Sequence, residues 1–126
     1  VNPLQLRAAM RRMCAVHKTR IIVVDYIQLL SPTDRKDSRE RQVAEASRTL
    51  KQLAKELDIT IIALTQLNSD GASRESRAIE HDADLFLVIE RDDEGNWFLN
   101  IRLARACGRA KIPLEFRETF VRFDEK

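Results

Sequence analysis

Hydrophobic and polar positions follow two different periods along the 126-residue chain. Continuous apolar runs at residues 19–25 and 59–65 are typical of strands that are buried on both faces of a sheet. Apolar residues at helical spacing precede the first run and separate it from the second, and they predict one helix at about residues 2–18 and another that ends near Leu57. The apolar face of the second helix comprises Val43, Ala46, Leu50, Leu53 and Leu57.

Residues at the ends of these segments indicate their boundaries. Asn2 and Pro3 suit the cap and the first position of the first helix. Asp37 and Glu40 suit the cap and the third position of the second helix, and Asp58 breaks it. Because a strand, a crossover helix and a strand in this order form a right-handed unit, the two strands are predicted to be parallel.

The rest of the chain predicts turns and short strands. Residues 69–81 are polar and predict a loop, and residues 92–96 predict a hairpin turn in which Gly95 adopts a positive φ. Four more strands are predicted at residues 83–90, 97–104, 112–116 and 119–123. The predicted fold class is therefore α/β, with one sheet whose first half is parallel and whose second half is antiparallel.

Composition and charge narrow the class of protein. The length is that of one domain, and 44% hydrophobic residues are typical of a soluble globular protein. No apolar run is long enough to span a bilayer, and the first residues lack the layout of a secretory signal, so we expect a cytoplasmic protein with no membrane partner. Cys14 and Cys107 fit no metal-binding or disulfide pattern. With 22 basic and 20 acidic residues, the overall charge does not indicate a polyanionic partner.

Polar residues follow both apolar strands at the edge where α/β proteins bind ligands. Asp25 ends the first strand and Gln28 lies three residues later, while Thr65 and Gln66 follow the second strand. A carboxylate in this position suits a Mg²⁺ ion that is held through water and by nucleotide phosphates. The residues alone leave an alternative open, in which Asp25 ends a core strand and only caps the next turn.

Several ordered motifs carry a resemblance to a known family over nearly the whole chain. They are Ile22-Val-Val-Asp25-Tyr26-Ile-Gln28, Arg48-Thr-Leu-Lys51, Ala63-Leu-Thr-Gln66-Leu-Asn68, Arg74-Glu75-Ser76, Ile79-Glu80-His-Asp82-Ala-Asp84, Pro113-Leu-Glu-Phe116 and Arg122-Phe123-Asp124. With these motifs the chain resembles the carboxy-terminal ATPase domain of bacterial replicative DNA helicases of the DnaB type, which are RecA-like hexameric motors. The resemblance implies that residues 1–126 are the carboxy-terminal portion of one RecA-like (P-loop NTPase) domain.

The resemblance assigns nucleotide chemistry to the two strand ends. Asp25 corresponds to the Walker B acid, which holds Mg²⁺ through water against the phosphates of ATP. Gln66 corresponds to the polar sensor of the γ-phosphate, which relays the loss of that phosphate to the following loop. The alternative for Gln66 is an amide that satisfies backbone groups of the loop.

The resemblance also places single-stranded DNA on the polar stretch after the second strand. Arg74, Glu75 and Arg77 fall in that stretch, where guanidinium groups and backbone amides hold phosphates without reading bases. Arg77 stands where the family often has glycine, and the loop at residues 69–73 is shorter than usual, so Arg74 is the preferred candidate. A hydrated loop without a ligand is the alternative, both here and for a second basic loop at residues 34–39.

Residues 102–109 correspond to the family's Lys-x-Arg-x-Gly segment, which supplies an arginine finger to the nucleotide of a neighbouring subunit. Arg105 occupies the finger position without a gap, although Leu103 replaces the usual lysine. Aligning Gly108 with the family glycine moves Arg105 away from that position. Arg109 is therefore the substitute candidate, and an altered site is an open alternative.

No Gly-x-x-x-x-Gly-Lys-Ser/Thr motif occurs in the 126 residues. We therefore expect the chain to be the second half of a RecA-like domain within a longer protein, and to be inactive toward ATP by itself. For that longer protein the resemblance implies ATP-driven translocation on single-stranded DNA and duplex unwinding by a homo-hexamer, with a primase and a helicase loader as partners. Two alternatives stay open: another RecA-fold ATPase, such as a phage primase-helicase or a recombination-type ATPase, and a non-catalytic assembly module descended from a helicase.

Overall fold

The computed structural model describes residues 3–30, 38–66, 74–106 and 108–126, without the side chains of residues 3 and 74–76. The chain divides into two compact units, Val1–Asp82 and Ala83–Lys126. Each unit contains its own sheet. The assignment of residues 1–126 to one domain stays a prediction.

The first unit contains the predicted parallel pair of strands and the helix between them. Its elements are α1 (Pro3–His17), β1 (Ile21–Val24), a 3₁₀ turn (Ile27–Leu29), α2 (Arg39–Leu57), β2 (Thr60–Ala63) and α3 (Arg74–Asp82). Strands β1 and β2 pair in parallel, with Ile22 opposite Ile61 and Val24 opposite Ala63. The predicted strand, crossover helix and strand are therefore confirmed.

Local residues account for both ends of α2. The Ser38 hydroxyl accepts a hydrogen bond from the Arg41 N–H at 3.4 Å, which satisfies one of the free donors of the first turn. Asp58 adopts a left-handed conformation with φ 51° and ends the helix, as predicted. The predicted cap at Asp37 is wrong because Ser38 is the capping residue, and Asp37 itself lies outside the described residues.

The core of the first unit lies between α1, α2 and one face of the β1–β2 sheet. The predicted apolar face of α2 is confirmed, since its first four residues are buried and Leu57 packs against them. Leu53 and Ile27 are the most deeply buried, at 0% and 1% exposure. The opposite face of the sheet exposes Ile21, Val23 and Ile62. Ile22 and Ile61 on the inner face therefore hold the strand pair against the helices.

Helix α3 lies in the stretch that the sequence predicts to be a loop, so the loop prediction is wrong from Arg74 onward. Within this helix Ile79 packs against the core, while most other positions are polar. A single apolar contact does not produce the repeating helical pattern on which a sequence prediction depends. The predicted loop at residues 69–73 lies outside the described residues.

The second unit is a four-stranded antiparallel sheet. Its strands are β3 (Leu85–Arg91), β4 (Trp97–Ala104), β5 (Ala110–Arg117) and β6 (Arg122–Glu125), in that spatial order. Gly95 has φ 90° in the predicted hairpin turn between β3 and β4. The sequence predicts one mixed sheet, whereas the strands among the described residues pair into two sheets. Strand β3 pairs with β4 because its hairpin partner is the nearest strand along the chain.

Two clusters of side chains join the strands of this second sheet. Trp97, Phe116 and Phe123 form an aromatic cluster with ring centroids 4.8–6.1 Å apart. The carboxylate of Glu90, the last residue but one of the edge strand β3, accepts hydrogen bonds from Asn100 at 3.0 Å and from Arg102 at 3.3 Å. Desolvation raises the pKa of Glu90, but these bonds and the nearby positive charges outweigh it and lower the pKa overall. The network therefore stabilises the sheet above the unfolded pKa of Glu90, and this contribution is lost as the pH falls through the folded pKa.

Candidate nucleotide-binding edge

The carboxyl ends of β1 and β2 stay in contact beyond the last paired residues. The Leu64 N–H donates to the Val24 carbonyl oxygen at 2.9 Å, and the Ile27 N–H donates to the Leu64 carbonyl oxygen at 2.9 Å. These two bonds join the segment that follows β1 to the segment that follows β2. The ends of both strands therefore form one edge, where α/β folds place ligands.

Asp25 and Gln66 lie at this shared edge. Asp25 directly follows β1, its side chain is exposed, and its peptide bond to Tyr26 is cis. Gln66 lies three residues past the end of β2 and is also exposed. Their exposure makes both side chains accessible to a ligand. The roles assigned to them from the sequence, as metal holder and phosphate sensor, stay predictions.

Gln28 joins the two sides of the edge through its side-chain amide. Its Nε2 donates to the Thr65 Oγ1 at 2.8 Å and to the Gln66 carbonyl oxygen at 3.4 Å. The sequence singles out Gln28 as a polar residue at this edge without giving it a role. The available signal was its spacing, since the 3₁₀ turn that begins at Ile27 brings Gln28 across to β2.

Arg105 lies just past β4 in the second unit and is held to the start of β3. Its Nε donates to the Ala83 carbonyl oxygen at 3.1 Å and lies 3.7 Å from the Asp84 carboxylate. Its backbone N–H donates to the Asp84 carbonyl oxygen at 3.0 Å. Arg109, the substitute candidate, is exposed, and Cys107 between them lies outside the described residues. The finger role of either arginine stays a prediction.

The predicted DNA-contacting residues belong to α3. Arg74 begins this helix and Glu75 follows it, and the side chains of both lie outside the described part of the chain. Arg77 is exposed. The second basic loop lies outside the described residues up to position 37, whereas Arg39 belongs to α2.

Two features are absent from the part of the chain that the structure describes. The described residues contain no group of three or more His, Cys, Asp or Glu side chains placed to hold a metal ion. They also contain no helix that is both long and apolar enough to cross a membrane.

The parallel strand pair followed by antiparallel strands is the fold of RecA-like ATPase domains, as matches to solved structures show. One solved structure of an ATPase domain matches 99% of this chain with a TM-score of 0.81 and 29% identity, and the chain covers 51% of it. A DnaB-like replicative helicase, solved in a study of its interactions with primase, matches 97% of the chain with a TM-score of 0.76 and 28% identity. This chain covers 34% of that structure.

The family model of the DnaB-like helicase C-terminal domain matches residues 1–125, and the chain belongs to this family. A similar curated protein is the replicative DNA helicase DnaB of Pasteurella multocida strain Pm70, with 37% identity over 144 aligned positions. The alignment includes 98% of this chain and 31% of the relative. The chain therefore spans about three-tenths of the length of this relative.

Proposed function

We propose that the chain is part of a replicative DNA helicase that couples ATP hydrolysis to translocation on single-stranded DNA and to duplex unwinding. The observation that carries this proposal is that Asp25 and Gln66 lie at one shared edge. Main-chain hydrogen bonds between the ends of β1 and β2 form this edge. Family membership supports it, because replicative helicases are the curated relatives of this chain.

An ATP-bound Mg²⁺ ion fits the donors at this edge. Mg²⁺ keeps several waters and takes one or two protein carboxylates together with phosphate oxygens. The exposed Asp25 carboxylate supplies one such donor at the end of a buried strand. When bound, the ion neutralises charge on the transferred phosphate. These 126 residues contain no glycine-rich loop that would hold the phosphates. Other residues of the natural protein supply that loop.

Gln66 connects nucleotide and DNA in this proposal. In this role its exposed amide senses the γ-phosphate, and α3 begins eight residues later at Arg74. The loss of the γ-phosphate is relayed from Gln66 to this helix. Arg74 and Arg77, with backbone amides near Glu75, then hold the phosphates of single-stranded DNA, which gives affinity without sequence preference.

The proposal includes partners beyond DNA. Arg105 acts on the nucleotide of the next subunit in a homo-hexamer, with Arg109 as the alternative. A primase is a proposed partner because a similar solved structure was determined in a study of helicase and primase interactions. A helicase loader and a cytoplasmic location follow from the family resemblance alone.

The proposal is tested by unwinding of a forked DNA by the natural protein that contains this chain. We expect ATP-dependent unwinding that requires a 5′ single-stranded tail, and ATP turnover that single-stranded DNA stimulates. Turnover without DNA stimulation or unwinding would favour another RecA-fold ATPase. DNA binding without any ATP turnover would favour a non-catalytic assembly module.

Reversing the charge at Arg74 tests the DNA contact. We expect Arg74→Glu to weaken single-stranded DNA binding and to lower the slope of log affinity against log salt by about one, since one phosphate contact is lost. The measurement is fluorescence anisotropy with a labelled oligonucleotide at several salt concentrations. Arg12→Glu is the matched control, because Arg12 is exposed on α1 and undergoes the same charge change. An unchanged slope for Arg74→Glu would remove Arg74 from the DNA path.

A further inference from the structure

We propose that Gln28 is a positioning residue that fixes the sensor Gln66 relative to the metal-holding Asp25. This inference rests on the proposed function. Its basis is the side-chain bridge from Gln28 to Thr65 and to the main chain of Gln66. The turn that begins two residues after Asp25 thus contacts both Thr65 and Gln66.

The hydrogen bonds determine the orientation of the Gln28 amide. Nε2 carries two protons, and it has one acceptor for each in the Thr65 hydroxyl and the Gln66 carbonyl oxygen. With the amide rotated by half a turn, Oε1 would face the Gln66 carbonyl oxygen, and two acceptors would repel each other. Gln28 therefore acts on Gln66 as a donor.

The turn that carries Gln28 is anchored in the core. Ile27 is 1% exposed and packs with the apolar residues of α2, and its N–H is bonded to the Leu64 carbonyl oxygen. The Gln28 side chain therefore extends from a rigid base. Because it bonds to the main chain of Gln66, it restrains the point from which the Gln66 side chain departs.

The second polar atom of the Gln28 amide distinguishes a positioning role from a purely stabilising one. Oε1 is buried and has no hydrogen-bond partner in the described part of the chain. An unpaired buried acceptor costs stability and offsets much of what the two donated bonds contribute. A residue that served only the stability of this turn could be apolar, whereas holding the Gln66 main chain requires the donor.

Isosteric variants separate the bridge from the packing. Gln28→Met keeps the length of the side chain and removes both its donors and its unpaired acceptor. Thr65→Val removes the hydroxyl and keeps the shape, and Thr65→Ser keeps the hydroxyl. Gln52→Met is the matched control, because the exposed Gln52 of α2 accepts a hydrogen bond from Arg7 of α1 and undergoes the same substitution.

The kinetic measurement is steady-state ATP turnover by the natural protein with single-stranded DNA. We expect Gln28→Met to lower kcat about tenfold and to change KM by less than about twofold, because a misplaced sensor affects the reaction more than nucleotide binding. Thr65→Val should lower kcat in the same direction, and Thr65→Ser should retain the wild-type value. The double variant should be little worse than the more impaired single variant, since both changes break one bridge. A kcat within about twofold of wild type for Gln28→Met, or fully additive losses, would overturn the proposal.

Hydrogen exchange of the protein without nucleotide tests the bridge independently of activity. We expect the amides of Ile27 and Leu64 to exchange several-fold faster in Gln28→Met than in wild type or in Gln52→Met, because the two strand ends lose a tie. Unchanged exchange would overturn the bridge even in an active enzyme. Faster exchange in a protein that does not turn over ATP would overturn the proposed function while leaving Gln28 as the tie between the strands.

Discussion

Asp25→Ala is expected to abolish ATP turnover and leave the fold intact. The carboxylate is exposed at the end of β1, so its removal creates no cavity in the core. In the proposed site it holds the Mg²⁺ ion that neutralises charge during phosphoryl transfer, and losing it should lower kcat by at least about 100-fold. The measurement is ATP turnover by the natural protein alongside its thermal unfolding curve.

Two further variants sharpen this test. Asp25→Asn keeps the shape of the side chain and removes its charge, so turnover should fall nearly as far as in Asp25→Ala. Asp93→Ala is the matched control, because Asp93 is an exposed acid in the hairpin turn of the other unit and its loss should leave turnover unchanged. Unfolding of Asp25→Ala at ambient temperature would show that the residue supports the core. Near-normal turnover in both Asp25 variants would remove it from the metal site.

The parallel strand pair could be predicted because its residues carry strong local signals. Two unbroken apolar runs separated by an apolar pattern of helical spacing predict two parallel strands joined by a crossover helix. The observed register of β1 and β2 places the carboxyl ends of both strands side by side. Helix α3 gave no such signal, since its contact with the core depends on Ile79. The separation into two sheets was also not predictable, because patterns of alternation identify strands and do not say which edges pair.

The candidate site was predictable to the same extent as the strands that carry it. Asp25 and Gln66 could be placed at one edge because each follows the end of its strand. The bridge from Gln28 could not be predicted, since it depends on the 3₁₀ turn and on the orientation of one amide. The same holds for the bond from Arg105 to the Ala83 carbonyl oxygen, which joins residues 22 positions apart.

Arg105→Ala is expected to suppress ATP hydrolysis in the proposed homo-hexamer while leaving nucleotide binding nearly unchanged. An arginine finger acts mainly on charge that develops in the transition state, and losing it should lower kcat by about 10³-fold or more. The fold should persist, because the side chains of Arg105 and Asp84 are both exposed and exposed ion pairs contribute little stability. The measurements are kcat and the Kd of a fluorescent ATP analogue.

Mixed rings test whether Arg105 acts on the neighbouring subunit. In a head-to-tail ring each site takes its acid from one subunit and its finger from the next. Mixing Asp25→Ala subunits with Arg105→Ala subunits in equal amounts should restore about a quarter of the interfaces, because an intact Asp25 then meets an intact Arg105. Mixing Asp25→Ala with the Asp25→Ala/Arg105→Ala double variant is the control and should restore none. Full turnover by Arg105→Ala rings, with loss in Arg109→Ala rings, would transfer the finger role to Arg109.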